Sequence, residues 1–325
     1  MRMTVLGVLL LLCLSTCHAS ALASSPPGFL LEWGAVGTGP GEFISPSGVA
    51  TDPSGDVYVS DMENHRVQRF TRNGEFVLAW GTLGSSESQF SYPSDVCVGP
   101  NGDVYVADGG NYRIQKFTSS GAYISQWGAA GSADGQFNGL SAIACDGEGN
   151  VYATDATNDN IQKFSSSGEF LAKWGVTGAG LGQMRHPYGL AVDRFQQTVF
   201  VVDQLNFRIQ KFTTDGAFLS AWGAEGIGES QLKNPRSICV GLGGEVYVTD
   251  ERLNRIQVFA STGTLVTVFG SQGTGPGQFV VPSDITSDSG DIYITDAGNC
   301  RVQKFNTGLT PATRSSWGQL KNIYK

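Results

Sequence analysis

An aromatic residue followed by glycine recurs along this chain at Trp33, Trp80, Trp127, Trp174, Trp222 and Phe269, at spacings of 47, 47, 47, 48 and 47 residues. A period of that length marks a repeat architecture, in which each unit buries its apolar face against its neighbours. Four short runs recur within each period. In the first unit they begin at Pro46, Val57 and Arg66, and the last ends at Trp80. Each run is rich in β-branched and aromatic residues and is bounded by Gly, Asn, Asp or Pro, the pattern of short strands joined by turns. The expected fold is all-β, with four antiparallel strands per unit. Sheets of four strands repeated radially are the blades of a propeller.

The second runs of the later units carry Tyr105, Tyr152, Phe200, Tyr247 and Tyr293, and their third runs end at Phe117, Phe164, Phe212, Phe259 and Phe305. The sixth unit lacks its own fourth run, because Phe305 is followed by Asn306, Thr307 and Gly308 and no matching Trp-Gly. A fourth run without a unit before it stands at the other end of the chain, from Phe29 to Gly34. Placed beside the sixth unit, it gives six complete blades and leaves no open edge at the closure.

The repeated side chains resemble the NHL-repeat family. Gly277, Gln278, Phe279, Pro282 and Ile285 follow its Gly-Gln-Phe-x-x-Pro-x-x-Val pattern. Its Asp-x-x-Asn-x-Arg motif stands at Asp61, Asn64 and Arg66, at Asp108, Asn111 and Arg113, at Asp203, Asn206 and Arg208, and at Asp296, Asn299 and Arg301. In the fifth unit Leu253 replaces the Asn between Asp250 and Arg255, and in the third Asn160 replaces the Arg. The resemblance covers residues 27–306 and implies a six-bladed NHL β-propeller, between a leader (residues 1–23) and a tail (residues 307–325). A motif present in nearly every unit builds the unit. Asp and Asn hydrogen-bond turn backbone, and the Arg is expected to reach a neighbouring blade or a carboxylate as a two-pronged donor. Trp33, Trp80, Trp127, Trp174 and Trp222 are expected to wedge between blades.

The leader has Arg2, an apolar run from Val5 to Leu14 and a small-x-small pattern ending at Ala23. That is a secretory signal pattern, with cleavage expected after Ala23; a lipoprotein alternative at Cys17 fits less well because Thr16 precedes it. The run is too short to span a bilayer, so a secreted or periplasmic protein is expected, with no transmembrane segment. The formal net charge of −8 and the lack of a Lys/Arg run oppose a nucleic-acid partner. Cys97, Cys145, Cys239 and Cys300 lie beyond the leader. Cys97 and Cys239 share a small-residue position of opposite units, Cys145 falls one residue out of phase and Cys300 lies in a turn, so no disulfide is expected.

Function in such a ring comes from positions where the repeats differ. The connections from fourth to first runs and from second to third runs share one face, and that face carries the long glycine-rich loops. Around the unit prolines on this face, Tyr92, Asp95, His186, Tyr188, Arg236 and Asp284 break the pattern of small residues. They are expected to converge as a polar pocket with hot-spot composition; the alternative is a solvated rim. The leading expectation is a monomeric binding module or scaffold for a protein, peptide or glycan. The resemblance also implies two alternatives. One is a propeller lyase or hydrolase related to the peptidyl-hydroxyglycine amidating lyase, whose zinc histidines stand beside strand-initial prolines. Here the positions after those prolines, or after Leu140 in the third unit, hold Ser47, Ser94, Ser141, Tyr188, Arg236 and Ser283, and only His65 and His186 remain beyond the leader, against the three protein ligands usual for catalytic zinc. The other is RNA binding, as in NHL domains attached to RING-type ligases, which the excess of acid opposes. No cofactor is required by the sequence, and no turn has a spacing that demands structural calcium.

Overall fold

A computed structural model describes residues 25–309. The leader and most of the tail lie outside the described residues, so the expectations for them are not addressed by the fold. The strands, in chain order, are β1 (Gly28–Trp33), β2 (Pro46–Thr51), β3 (Val57–Asp61), β4 (Arg66–Phe70), β5 (Phe76–Trp80), β6 (Pro93–Val98), β7 (Val104–Asp108), β8 (Arg113–Phe117), β9 (Tyr123–Trp127), β10 (Leu140–Cys145), β11 (Val151–Asp155) and β12 (Asn160–Phe164). They continue as β13 (Phe170–Trp174), β14 (Pro187–Asp193), β15 (Thr198–Asp203), β16 (Arg208–Thr213), β17 (Phe218–Trp222), β18 (Pro235–Val240), β19 (Val246–Asp250), β20 (Arg255–Phe259), β21 (Leu265–Phe269), β22 (Pro282–Asp288), β23 (Asp291–Asp296) and β24 (Arg301–Asn306).

These form six four-stranded antiparallel sheets. Five use consecutive strands, and the sixth is ordered β1, β24, β23, β22, so the N-terminal strand closes the ring as expected. The innermost strands β2, β6, β10, β14, β18 and β22 pack side by side around the axis, the sixth against the first. The one-residue excess of the fourth unit lies in the turn between β14 and β15.

The apolar core is divided among the seams between blades. Six clusters of buried side chains each draw on two neighbouring blades. The tryptophans sit in these seams: the Trp33 ring of the sixth blade lies 5.8 Å from Phe70 of the first and 6.2 Å from Tyr293 of its own. The following glycine is required. Gly34 has φ of +112°, and a Cβ there would lie 2.7 Å from the Cys300 carbonyl oxygen and 2.8 Å from the Phe43 ring.

One expectation is overturned. Cys97 of β6 and Cys145 of β10 form a disulfide, with Cα atoms 6.2 Å apart. Counting phase within a unit placed Cys145 on the wrong side, because it compared equivalent positions rather than neighbouring strands. Adjacent innermost strands are staggered, so a cysteine one residue further along β10 meets Cys97 across the seam. Cys239 is a buried free thiol and Cys300 is a partly buried one.

Candidate functional site

Each Asp-x-x-Asn-x-Arg motif anchors the long loop that enters its own blade. Asp61 is fully buried. Its Oδ1 accepts from the Ile44 N–H at 2.8 Å, and its Oδ2 accepts from Asn64 Nδ2 at 2.9 Å and Arg66 Nε at 2.8 Å. Arg66 thus reaches a carboxylate, as expected, but through Nε and within its own motif rather than across to a neighbouring blade. It donates to the carbonyls of Thr38, Gly39 and Glu42 in the loop. A further partner, missed in the sequence, is Gln68. Its amide donates to Glu42 O and Asp61 Oδ2 and accepts from the Gly41 N–H. Gln115, Gln162, Gln210, Gln257 and Gln303 hold the same place, and all are buried. Their presence two residues after the Arg position in all six units was the available signal.

The loops fixed in this way surround the axial opening. At the second position of the innermost strands, which follows proline in five blades and Leu140 in the third, three serines tie blades together. Ser47 Oγ donates to Pro93 O at 2.9 Å, Ser94 Oγ to Leu140 O at 3.2 Å and Ser283 Oγ to Pro46 O at 2.8 Å. In the fourth and fifth blades this position holds Tyr188 and Arg236, without the serine hydroxyl. The third and fourth blades are joined by Thr154 Oγ1, which donates to Tyr188 O at 2.6 Å, the fourth and fifth by Gln204 Nε2, which donates to Pro235 O at 3.2 Å, and the fifth and sixth by Ser237 Oγ, which donates to Asp284 Oδ1. The Arg236 guanidinium lies 5.0 Å from the Tyr188 ring centre, within cation–π range. On the same tyrosine, the His186 ring stacks at 5.9 Å, and His186 Nδ1 lies 2.8 Å from Gln204 Oε1. Arg236 Nη1 donates to Glu251 Oε2 at 3.3 Å.

One step deeper, Asp95 and Asp284 replace the small side chains of the other innermost strands. Each accepts a backbone N–H from the next blade: Asp95 Oδ2 from Ile143 at 2.8 Å, and Asp284 Oδ2 from Val49. Ser237 Oγ donates to Asp284 Oδ1. Burial raises the pKa of both carboxyls. Asp284 is pushed up to about 6 against the stabilising bonds from Ser237 and Val49. Asp95 is raised well above the usual carboxylate range by burial and then by the charge of Asp284. The two stand at the end of an axial cavity of about 360 Å³, walled by Val49, Val96, Ile143, Leu190, Ile238 and Ile285. Tyr188 and Arg236 line the opposite, narrow side of this constriction.

The structure thus gathers five of the six expected residues. Asp95, Tyr188, Arg236 and Asp284 share the constriction, and His186 backs Tyr188. Tyr92 stands apart, 47% exposed on the rim, with its ring 4.8 Å from His65 and its N–H donating to His65 Nδ1 at 3.2 Å. That link belongs to an alternating pattern. Asp159 Oδ1 accepts from the His186 N–H at 2.7 Å and Asn254 Oδ1 from the Val281 N–H at 2.9 Å. Tyr92, His186 and Val281 all hold the left-handed conformation, at φ of 51°, 53° and 60°. Among the described residues no three His, Cys, Asp or Glu side chains form a group able to hold a metal ion.

Comparison with known proteins follows the same geometry. A family model described as NHL repeat matches residues 43–70 and 90–117, and one described as 6-bladed beta-propeller matches residues 225–313. A segment of 45 residues, 14% of the chain, is 44% identical to the B-box type zinc finger protein ncl-1 of Caenorhabditis elegans and covers 5% of that protein. The chain thus matches only about one-twentieth of that relative's length. A protein of unknown function from Bacteroides thetaiotaomicron superposes with a TM-score of 0.66 at 20% identity, over 84% of this chain and 74% of that one. Virginiamycin B lyase from Staphylococcus aureus superposes with a TM-score of 0.56 at 18% identity, over 79% of each chain. At these identities the structural likenesses speak for the fold alone. The chain is a six-bladed β-propeller built from NHL repeats.

Proposed function

We propose that this chain is an extracytoplasmic binding module that presents the loop-rich face of the propeller to a protein, peptide or glycan. The observation that carries this reading is the pairing of Tyr188 and Arg236 at the position that serine holds in the other four blades. A rigid aromatic and an arginine stacked together at an axial constriction are the residue types on which binding energy concentrates, and loops on a rigid scaffold are where such residues are placed. The Cys97–Cys145 disulfide supports an oxidising compartment and so agrees with the leader pattern. A lyase or hydrolase reading draws support from the likeness to the virginiamycin lyase only at the level of fold. Two histidines, on separate blades and each engaged with a neighbour, do not supply the metal set of an amidating lyase.

The test is affinity capture from extracellular and envelope material with residues 24–325, compared with the Tyr188→Ala/Arg236→Ala variant. A partner held by the natural sequence and weakened at least about tenfold in the variant is expected. Retention by both proteins would move the site away from the fourth and fifth blades.

A further inference from the structure

The axial cavity of about 360 Å³ opens on the face opposite the long loops. Its lining runs from Asp95 and Asp284 at the inner end to Pro53, Arg194, Phe195 and Leu242, which lie in turns between first and second strands. The one-residue excess of the fourth unit falls in the turn that carries Arg194 and Phe195. Arg194 spans this mouth. Its Nη2 donates to the Val98 carbonyl at 3.5 Å, so a side chain of the fourth blade reaches the second, past the third. That length is beyond the ordinary range, and it is the guanidinium's one hydrogen bond among the described residues. Asp146 of the third blade attracts it without forming an ion pair. The cavity therefore has acid at its inner end, a loosely held cation at its mouth, and aliphatic walls of Val49, Val96, Leu190 and Ile285 between them. Gly189 holds in the fourth blade the place of Asp284, and Arg194 follows it by five residues. Strand rise puts the two levels about 16 Å apart before their side chains reach towards each other.

We propose that this cavity is a site for a small linear zwitterion, an aliphatic chain with an ammonium group at one end and a carboxylate at the other. The ammonium lies at Asp284, beside Asp95, and the carboxylate takes Arg194 from the Val98 carbonyl. A carboxylate can accept about four hydrogen bonds, and those from Val49, Ser237 and Ile285 leave Asp284 room for the ammonium. The volume is of the order that small-molecule sites have. The test is calorimetric titration of the full chain at neutral pH with ε-aminocaproate, and with caproate and hexylamine, which each keep one of its two charges. ε-Aminocaproate is expected to bind at least about tenfold more tightly than either. Arg194→Gln should remove its advantage over hexylamine, and Asp284→Asn its advantage over caproate, each leaving the other advantage in place. No binding of ε-aminocaproate or of its longer homologue ω-aminocaprylate would overturn the proposal, as would equal affinity for the three compounds or undiminished affinity in both variants. Should Asp284→Asn not fold, the three compounds on the natural chain and on Arg194→Gln, a substitution in a surface turn, decide the matter.

Discussion

Phe200 stands where the other five blades carry Tyr58, Tyr105, Tyr152, Tyr247 and Tyr293. In the first and third blades the tyrosine hydroxyl donates to a buried aspartate, Tyr58 to Asp52 at 3.3 Å and Tyr152 to Asp146 at 3.1 Å. In the fourth blade the hydroxyl is missing, and Asp193 Oδ2 is buried without a partner. Phe200→Tyr should supply that bond and stabilise the fold by about 1 kcal/mol, a gain readable as a higher urea midpoint; an unchanged or lower midpoint would count against the assignment. Asp284 makes a different prediction. Its folded pKa of about 6 lies above the unfolded value of about 4. The folded state therefore binds the extra proton between these values, and the stabilisation is fully present below about pH 4 and lost as pH rises through about 6. By linkage the loss is roughly 3 kcal/mol. Stability curves from pH 4 to 7 should fall less steeply for Asp284→Asn than for the natural chain, the remaining fall coming from buried Asp95, while parallel curves would refute this. At this scale the sequence was partly legible. The Asp, Asn and Arg of the motif could be read because turns demand them, whereas Gln68 and its equivalents look like ordinary strand residues until their loop partners are seen.

At the scale of strands and turns, the blades were legible from period and punctuation, and the seams were not. A repeat alignment states which positions are equivalent, but contacts across a seam join positions that are offset. That is why the Cys97–Cys145 pair escaped the sequence reading, and why seam ties fall to Ser47, Ser94 and Ser283 in one half of the ring and to Thr154, Gln204 and Ser237 in the other. The disulfide joins innermost strands 48 residues apart in sequence. Its loss should cost about 2–4 kcal/mol, so Cys97→Ala/Cys145→Ala should unfold at lower denaturant than the natural chain, and added reductant should shift only the natural chain. An equal response of both proteins to reductant would contradict a stabilising bridge.

For the molecule as a whole, the count of six blades followed from one orphan strand at the N-terminus, because an unfilled sheet position in the last unit demanded it. The convergence of Asp95, Tyr188, Arg236 and Asp284 could be anticipated from departures in the repeat. The separation of Tyr92 could not, since it depends on which way a left-handed residue before a proline turns its side chain. If the repeated residues hold the ring while the departures in the fourth and fifth blades bind, as proposed, Tm and partner affinity measured together on two variants will separate. Asp108→Ala, which leaves Asn111, Arg113 and Gln115 without their shared carboxylate, should cost about 3–5 kcal/mol of stability and leave the affinity of the folded protein unchanged. Tyr188→Ala/Arg236→Ala should keep Tm within about 2 °C and lower affinity at least about tenfold. The reverse pattern, with binding lost on the Asp108 variant and retained on the other, would contradict the account.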